Sequence, residues 1–394
     1  MIFHSDFFLS YFVAISIIIR SFVPMKNQQL FFTNLNGLRF LGALLVFVFH
    51  VFSLNREVWG DFFNDTTFQF IFKLTNHGHI GVSLFFVLSG FLITYLFLEE
   101  LKSTGKINLI HFLFRRILRI WPLYFLVSIF GFFLFPQLPY GITTVHEFWR
   151  FALFLSNFDE IYVGLNDKIN FLTTTWSISV EEQFYYAWVI VMGIIRFKKN
   201  RDFAWFFIAL IIASIVFRAF HSSNERVLYY HTLALISDLA IGGLIAIWAF
   251  SGKAKDVINR FSSMQLLLVY GFGLAIILLE NKLKAPLWII FQRLFHGLFF
   301  AFILLEQVYS VHSFWKADRV FGFEKSGRLT YGFYLYHTIV IYYCAQLFDS
   351  YGWTSNIGHF LSYVVVVFGL TYSVSWLSFH YFERPILNLK NKFR

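Results

Sequence analysis

The chain has 394 residues, of which 58% are hydrophobic and 22% aromatic, 57 of them Phe, while only 14% are charged. Soluble domains carry about 25% charged residues, so a soluble globule is excluded and the chain reads as an all-α polytopic membrane protein. The net charge of +10 then belongs to loops on one side of a membrane, not to nucleic-acid binding.

Residues 1–24 form an N-terminal segment with three open readings. Phe7 to Val23 is apolar, but Arg20 interrupts it and no basic stretch precedes it, which argues against a signal peptide. It reads as a misassigned start ahead of Met25, an interfacial helix, or an eleventh span. Residues 25–394 read as a single integral-membrane domain. They contain about ten transmembrane helices near the length of about 20 residues that a bilayer demands. The expected spans are 37–54, 80–98, 117–135, 178–195, 203–220, 230–250, 264–280, 286–305, 329–348 and 358–379. With Met25 inside, 21 of the 32 Lys and Arg fall in inner loops and eight in outer ones, so both ends of this body are expected in the cytoplasm. The longest outer connection, about 136–177, carries Pro136, Pro139 and an aromatic amphipathic piece near Phe148–Leu155, and is expected to lie along the outer surface.

Within the first span, Arg39 and His50 are 11 residues apart. On a helix they share a face and stand roughly 16 Å apart along the axis. Ionisable groups inside a bilayer are costly and mark sites, although a hydrogen-bonded structural histidine is the plainer reading of His50 alone. At the start of the third span, Arg115, Arg116 and Arg119 form a basic rim, with Arg115 and Arg119 on one face at i,i+4. They read either as charge anchors or as a cradle for phosphate, which guanidinium binds bidentately. Thr175-Trp176-Ser177 with Glu181 and Glu182 opens the fourth span from outside. Carboxylates suit a helix N-terminus, and Glu181 is also expected near His50, to orient the imidazole or bind substrate hydroxyls. His337 rises to mid-membrane in the ninth span. Gly78-His79-Ile-Gly81 to Ser89-Gly90 reads as a small-residue stripe for close helix packing. Asp238, Arg293 and His296 are intramembrane polar residues without assignable partners.

One cysteine, Cys344, excludes an intramolecular disulfide and makes a thiolate metal site improbable; no metal is expected. There is no Walker lysine motif, no G-x-S-x-G and no H-E-x-x-H, which removes nucleotide-driven pumping, serine hydrolysis and zinc proteolysis.

The blocks taken together resemble the membrane-bound acyltransferase family 3. Asn36-Gly-Leu-Arg39 with His50 resembles its arginine–ten residues–histidine opening. Gly81-Val82, Phe85-Phe86 and Ser89-Gly90-Phe91 resemble its second block. Arg115–Arg119 with Pro122 and Tyr124, Trp176-Ser177 with Glu181 and Phe184-Tyr185, Tyr334 with His337, and Phe382-Glu383-Arg384-Pro385 match later blocks, all in order over about residues 33–386. Ser83 departs from the acidic or amide residue of many members, and no appended soluble domain is visible, so the ten-span unit is expected to be the whole enzyme. The resemblance implies acyl transfer, most often acetyl from acetyl-CoA, onto a hydroxyl of a glycan: lipopolysaccharide, exopolysaccharide or another envelope or secreted carbohydrate. It also implies a bacterial plasma membrane setting among membrane lipid. Carried onto this chain, it implies His50 as general base or acylated nucleophile, with Glu181 and His337 as further catalytic candidates. Arg39, Arg115, Arg116 and Arg119 would hold the donor, and Trp176, Ser177 and Tyr185 the sugar. The competing reading is a transporter or flippase of a lipid-linked sugar, which would also use buried Arg, His, Glu and Asp.

Overall fold

The computed structural model describes residues 32–54, 58–59, 66–163, 171–195, 200–283 and 285–389. Residues 1–24 and the alternative start at Met25 lie outside the described residues, as do the charges Lys26, Arg56, Lys168, Arg196, Lys198, Lys199, Lys284, Lys390, Lys392 and Arg394. Among the described residues the regular structure is entirely helical.

Ten helices of 17 or more residues occupy the ten anticipated positions. They are α1 (Leu35–Ser53), α2 (Gly81–Thr104), α3 (Leu109–Ile129), α4 (Thr175–Ile195) and α5 (Asn200–Phe220), then α6 (Thr232–Phe250), α7 (Ser263–Leu279), α8 (Pro286–Tyr309), α9 (Thr330–Ser350) and α10 (Ile357–Ser378). Seven of them (α1, α2, α3, α5, α6, α8 and α10), some with the helical turns that continue them, are long and apolar enough to cross a membrane. Length and apolarity thus give seven spans where about ten were expected. The three that fall short do so for visible reasons. α7 has 17 residues, α4 opens on Thr, Ser and two carboxylates, and α9 carries Thr330, five tyrosines and His337.

Local chemistry sets the helix ends. Asn108 accepts from the His111 amide to start α3, Asn356 from the His359 amide to start α10, and Ser262 with Gln265 forms a capping box on α7. α1 is capped from a distance. Asp318, in the α8–α9 connection, takes the Asn34 amide at 2.7 Å and the Gly37 amide at 2.6 Å. That places a carboxylate on the positive end of the helix dipole. A Cβ on Gly37 would lie 2.4 Å from the Ala317 carbonyl carbon, so only glycine admits the capping loop.

α2 threads the centre of the bundle. It packs on α6 with almost no side chain between the backbones: a Cβ on Gly90 would stand 1.9 Å from the Leu239 carbonyl oxygen. α9 lies beside α1, joined by Phe333 against Phe40 and Phe47, and beside α10, where Tyr363 donates to the Ile341 carbonyl at 2.9 Å. α1, α2, α3, α4 and α9 thereby enclose the polar groups that matter. The 136–163 stretch contains two short helices, Phe148–Ala152, which buries Phe151 and exposes Trp149, and Ser156–Tyr162.

Candidate functional site

α1 and α9 run so that His50, near the end of one, meets His337, in the third turn of the other. Nδ1 of His50 is 2.8 Å from Nε2 of His337. The proton positions follow from the neighbours. His337 Nδ1 lies 2.7 Å from the Tyr334 carbonyl oxygen and 3.2 Å from that of Phe333. Carbonyls only accept, so His337 Nδ1 carries hydrogen, and in a neutral ring its Nε2 is then an acceptor. His50 must donate from Nδ1, which leaves the lone pair of His50 on Nε2. His337 is fully buried, with the Phe333 ring stacked near it at 6.4 Å. His50 is half-buried.

Toward the start of α1 a narrow pocket of about 120 Å³ is lined by Arg39, Arg116, Arg119, Glu181, Ser89 and Ser177, with Tyr331 and Tyr334 on one wall and Val82, Phe85 and Phe86 on another. Arg39 is steadied by Asn36, Nη1 to Oδ1 at 3.2 Å. Arg116 stacks its guanidinium 5.0 Å from the centre of the Tyr185 ring. Glu181 accepts from the hydroxyls of Ser89 and Tyr185. Among the described residues none of the three guanidiniums has a carboxylate within ion-pair distance, and three positive charges against one negative leave the pocket attractive to an anion. Tyr334 links pocket and histidine pair: its hydroxyl meets Ser177 Oγ at 2.6 Å while its carbonyl holds His337.

The expected site residues divide accordingly. Arg39, Arg116, Arg119, Ser177 and Glu181 line the pocket. Arg115 does not; its Nη2 reaches Glu100 Oε2 at 3.5 Å. The basic face of α3 is therefore the i,i+3 pair Arg116 and Arg119, not the i,i+4 pair Arg115 and Arg119. Glu181, expected beside His50, sits instead among the arginines, and the group that orients His50 is His337. Tyr185 lies beneath Glu181. Trp176 packs against Tyr229 and Tyr230 at 5.3 and 5.2 Å and against Phe86 at 6.4 Å, outside the pocket lining. Two contributors escape sequence reasoning. Ser89 sits in a stripe that reads as packing, although a hydroxyl among glycines is a signal. Tyr331, two residues past the Gly327–Leu329 turn, carries none. The unassigned polar residues find partners: Arg293 Nη2 pairs with Asp238 at 2.8 Å and His296 with Glu280 at 2.9 Å.

Comparison with known proteins decides the family. A family model described as an acyltransferase domain, Acyl_transf_3, matches residues 32–378. The chain belongs to the acyltransferase 3 family. Among curated relatives of this acyltransferase 3 chain are the O-acetyltransferase OatA of Staphylococcus aureus strain NCTC 8325 and that of strain COL. Each is 26% identical over 374 residues, covering 90% of this chain. The chain spans 57% of the length of those OatA proteins. No solved structure matches it. Family and apolar helices together describe a membrane protein. Among the described residues no group of three or more His, Cys, Asp or Glu is placed to hold a metal ion.

Proposed function

We propose that the chain is an integral-membrane acyltransferase that moves an acyl group, acetyl in the simplest case, from acyl-CoA to a hydroxyl of a cell-envelope or secreted carbohydrate. The observation that carries this reading is the free Nε2 lone pair of His50, held by His337 beyond the end of an arginine-lined pocket. The phosphates of the donor would rest on Arg39, Arg116 and Arg119, which guanidinium geometry suits. The pocket is narrow, as a linear pantetheine arm requires, and the roughly 16 Å from Arg39 to His50 lets that arm present its thioester near the imidazole.

His50 Nε2 then takes the proton of the acceptor hydroxyl as its oxygen attacks the thioester carbonyl. The tetrahedral carbon collapses, the C–S bond breaks, and the thiolate leaves with the proton that His50 returns. His337 keeps the Nδ1–H of His50 engaged throughout, in the way a third group orients a catalytic base. Glu181 stays with Ser89 and Tyr185 as part of the donor pocket. The loop-charge bias supports a cytoplasmic Arg39 end and an acceptor arriving from the other face, in a bacterial plasma membrane. The family and the name of the OatA relatives support transfer over transport of a lipid-linked sugar.

Labelled acetyl-CoA supplied to membranes containing the protein tests this. Wild type should pass label to carbohydrate, and His50→Ala, present at equal amount, should not. Undiminished transfer by His50→Ala overturns the role of His50, and no label transfer by wild type overturns the activity.

A further inference from the structure

A second cavity, of about 580 Å³, opens beyond His50 at the ends of α5, α7 and α8. Its lining shares no residue with the arginine pocket, and its volume falls in the range of about 300–1,000 Å³ typical of small-molecule sites. His79 lines this cavity on the side of the histidine pair. The Phe49 ring lies 5.0 Å from that of His50 and 5.8 Å from that of His79, which in turn is 5.9 Å from Tyr229. His79 Nδ1 is 2.8 Å from the Asn76 carbonyl oxygen, so the neutral ring offers Nε2 as an acceptor.

The cavity looks cationic by composition, because Arg218 and Arg293 both line it. The donors of Arg218 are committed, and the charge of Arg293 is balanced. Arg218 donates to four carbonyls: Ile289 at 2.7 Å, Ile290 at 3.0 Å, Leu228 at 3.2 Å and Ala234 at 3.5 Å. Arg293 is engaged by Asp238 at 2.8 Å and His296 by Glu280 at 2.9 Å. Glu280 is also met by His77, whose Nδ1 lies 2.9 Å from Oε1, so its carboxyl is taken up by two histidines. What is left to meet a ligand is Gln292, Ser222, Ser223, Glu225, the Tyr229 ring and His79, and the first four have no side-chain partner among the described residues. An amide, hydroxyls, a carboxylate and an aromatic face, with no spare cation, match a ring bearing many hydroxyls and no negative charge.

We propose that this cavity is the acceptor site and takes a neutral sugar ring, with Tyr229 as its stacking face and Gln292, Ser222 and Ser223 as its hydroxyl-binding groups. The proposal rests on the acyl-transfer reading above. It makes the enzyme two-sided, with donor and acceptor approaching His50 through separate cavities.

The test uses the full chain in membranes with labelled acetyl-CoA, methyl glycosides of neutral hexoses, and the matching methyl uronosides. Neutral hexosides should be labelled with kcat/KM at least tenfold above that of the uronosides. Ser223→Trp, which fills the cavity, and Gln292→Leu, which removes one polar group with little change of volume, should each raise the hexoside KM at least tenfold. The acetyl-CoA KM should stay within twofold. Preference for uronosides overturns the neutral class, and an unchanged hexoside KM in both variants overturns the cavity assignment. Label reaching membrane carbohydrate but no hexoside also overturns the sugar-ring proposal while leaving acyl transfer standing. Absence of any label and of any released CoA would instead defeat the acyl-transfer reading itself.

Discussion

His50 and His337 are 287 positions apart in sequence, yet their facing ring nitrogens are 2.8 Å apart. Each ring needs the other. His337 is the acceptor that fixes which nitrogen of His50 holds its proton, and the Tyr334 carbonyl fixes His337 in turn. Replacing His337 with Phe should keep the packing against Phe333 and Phe47 but free the His50 tautomer. We expect kcat to fall by about 10²-fold, within the range for displaced general acid–base catalysis, with the acetyl-CoA KM near wild type. Steady-state kinetics on membranes of matched protein content checks this, and wild-type kcat would refute it.

The arginines of α3 should separate cleanly. Arg116→Ala and Arg119→Ala each remove a guanidinium from the pocket, and Arg39→Ala does the same from α1. A charge-assisted hydrogen bond contributes about 1.5–3 kcal/mol, so the donor KM should rise roughly tenfold to a hundredfold in each, with activity partly recovered by excess acetyl-CoA. Arg115→Ala, whose side chain reaches Glu100, should leave the donor KM within twofold. A large KM effect at Arg115 would contradict the pocket.

Asp318 caps α1 from outside the helix. Asp318→Ala should cost about 0.5–2 kcal/mol, the usual loss for a helix cap, read as a lower melting temperature in detergent. Asp318→Asn, which keeps an acceptor for one amide, should fall between that variant and wild type.

The pair Asp238 and Arg293 is buried between α6 and α8. Removing one partner strands a charge, at a cost of about 3–5 kcal/mol. Arg293→Met alone should therefore lower the yield of folded protein sharply, and Arg293→Met with Asp238→Leu should recover much of it. Equal damage in single and double variants would show that the pair serves something other than charge balance.

Composition and hydropathy make the helical class and the positions of all ten long helices legible in the amino-acid sequence alone. Apolar runs between charged loops leave few alternatives. The same property obscures which runs span, because α4 and α9 hold the polar side chains of the site and so resemble surface helices in hydropathy. Arg39 and His50 are legible because both lie on one helix, where spacing fixes relative direction. Contacts between helices are not. Nothing in spacing says that α3 turns Arg116 rather than Arg115 inward, that Glu181 joins the arginines, or that His337 meets His50. Those facts depend on helix rotation and on close approaches such as Gly90 of α2 on Leu239 of α6, which spacing within one helix does not reveal. A stripe of small residues announces close packing and conceals Ser89, whose hydroxyl reaches Glu181.

The Asp318 cap also sets a mechanical datum. The loop that carries it leads within a few residues to Gly327, where an added Cβ would lie 2.2 Å from the Asn36 carbonyl oxygen, and then into α9. The starts of α1 and α9 are thus pinned to each other at one end of the bundle, while their two imidazoles meet farther along. A helix advances about 1.5 Å per residue, so an axial slip of a single residue between α1 and α9 would part the histidines. Tension on the 310–328 loop would reach the His50–His337 pair as loss of registry, so a segment remote from both imidazoles governs whether they meet.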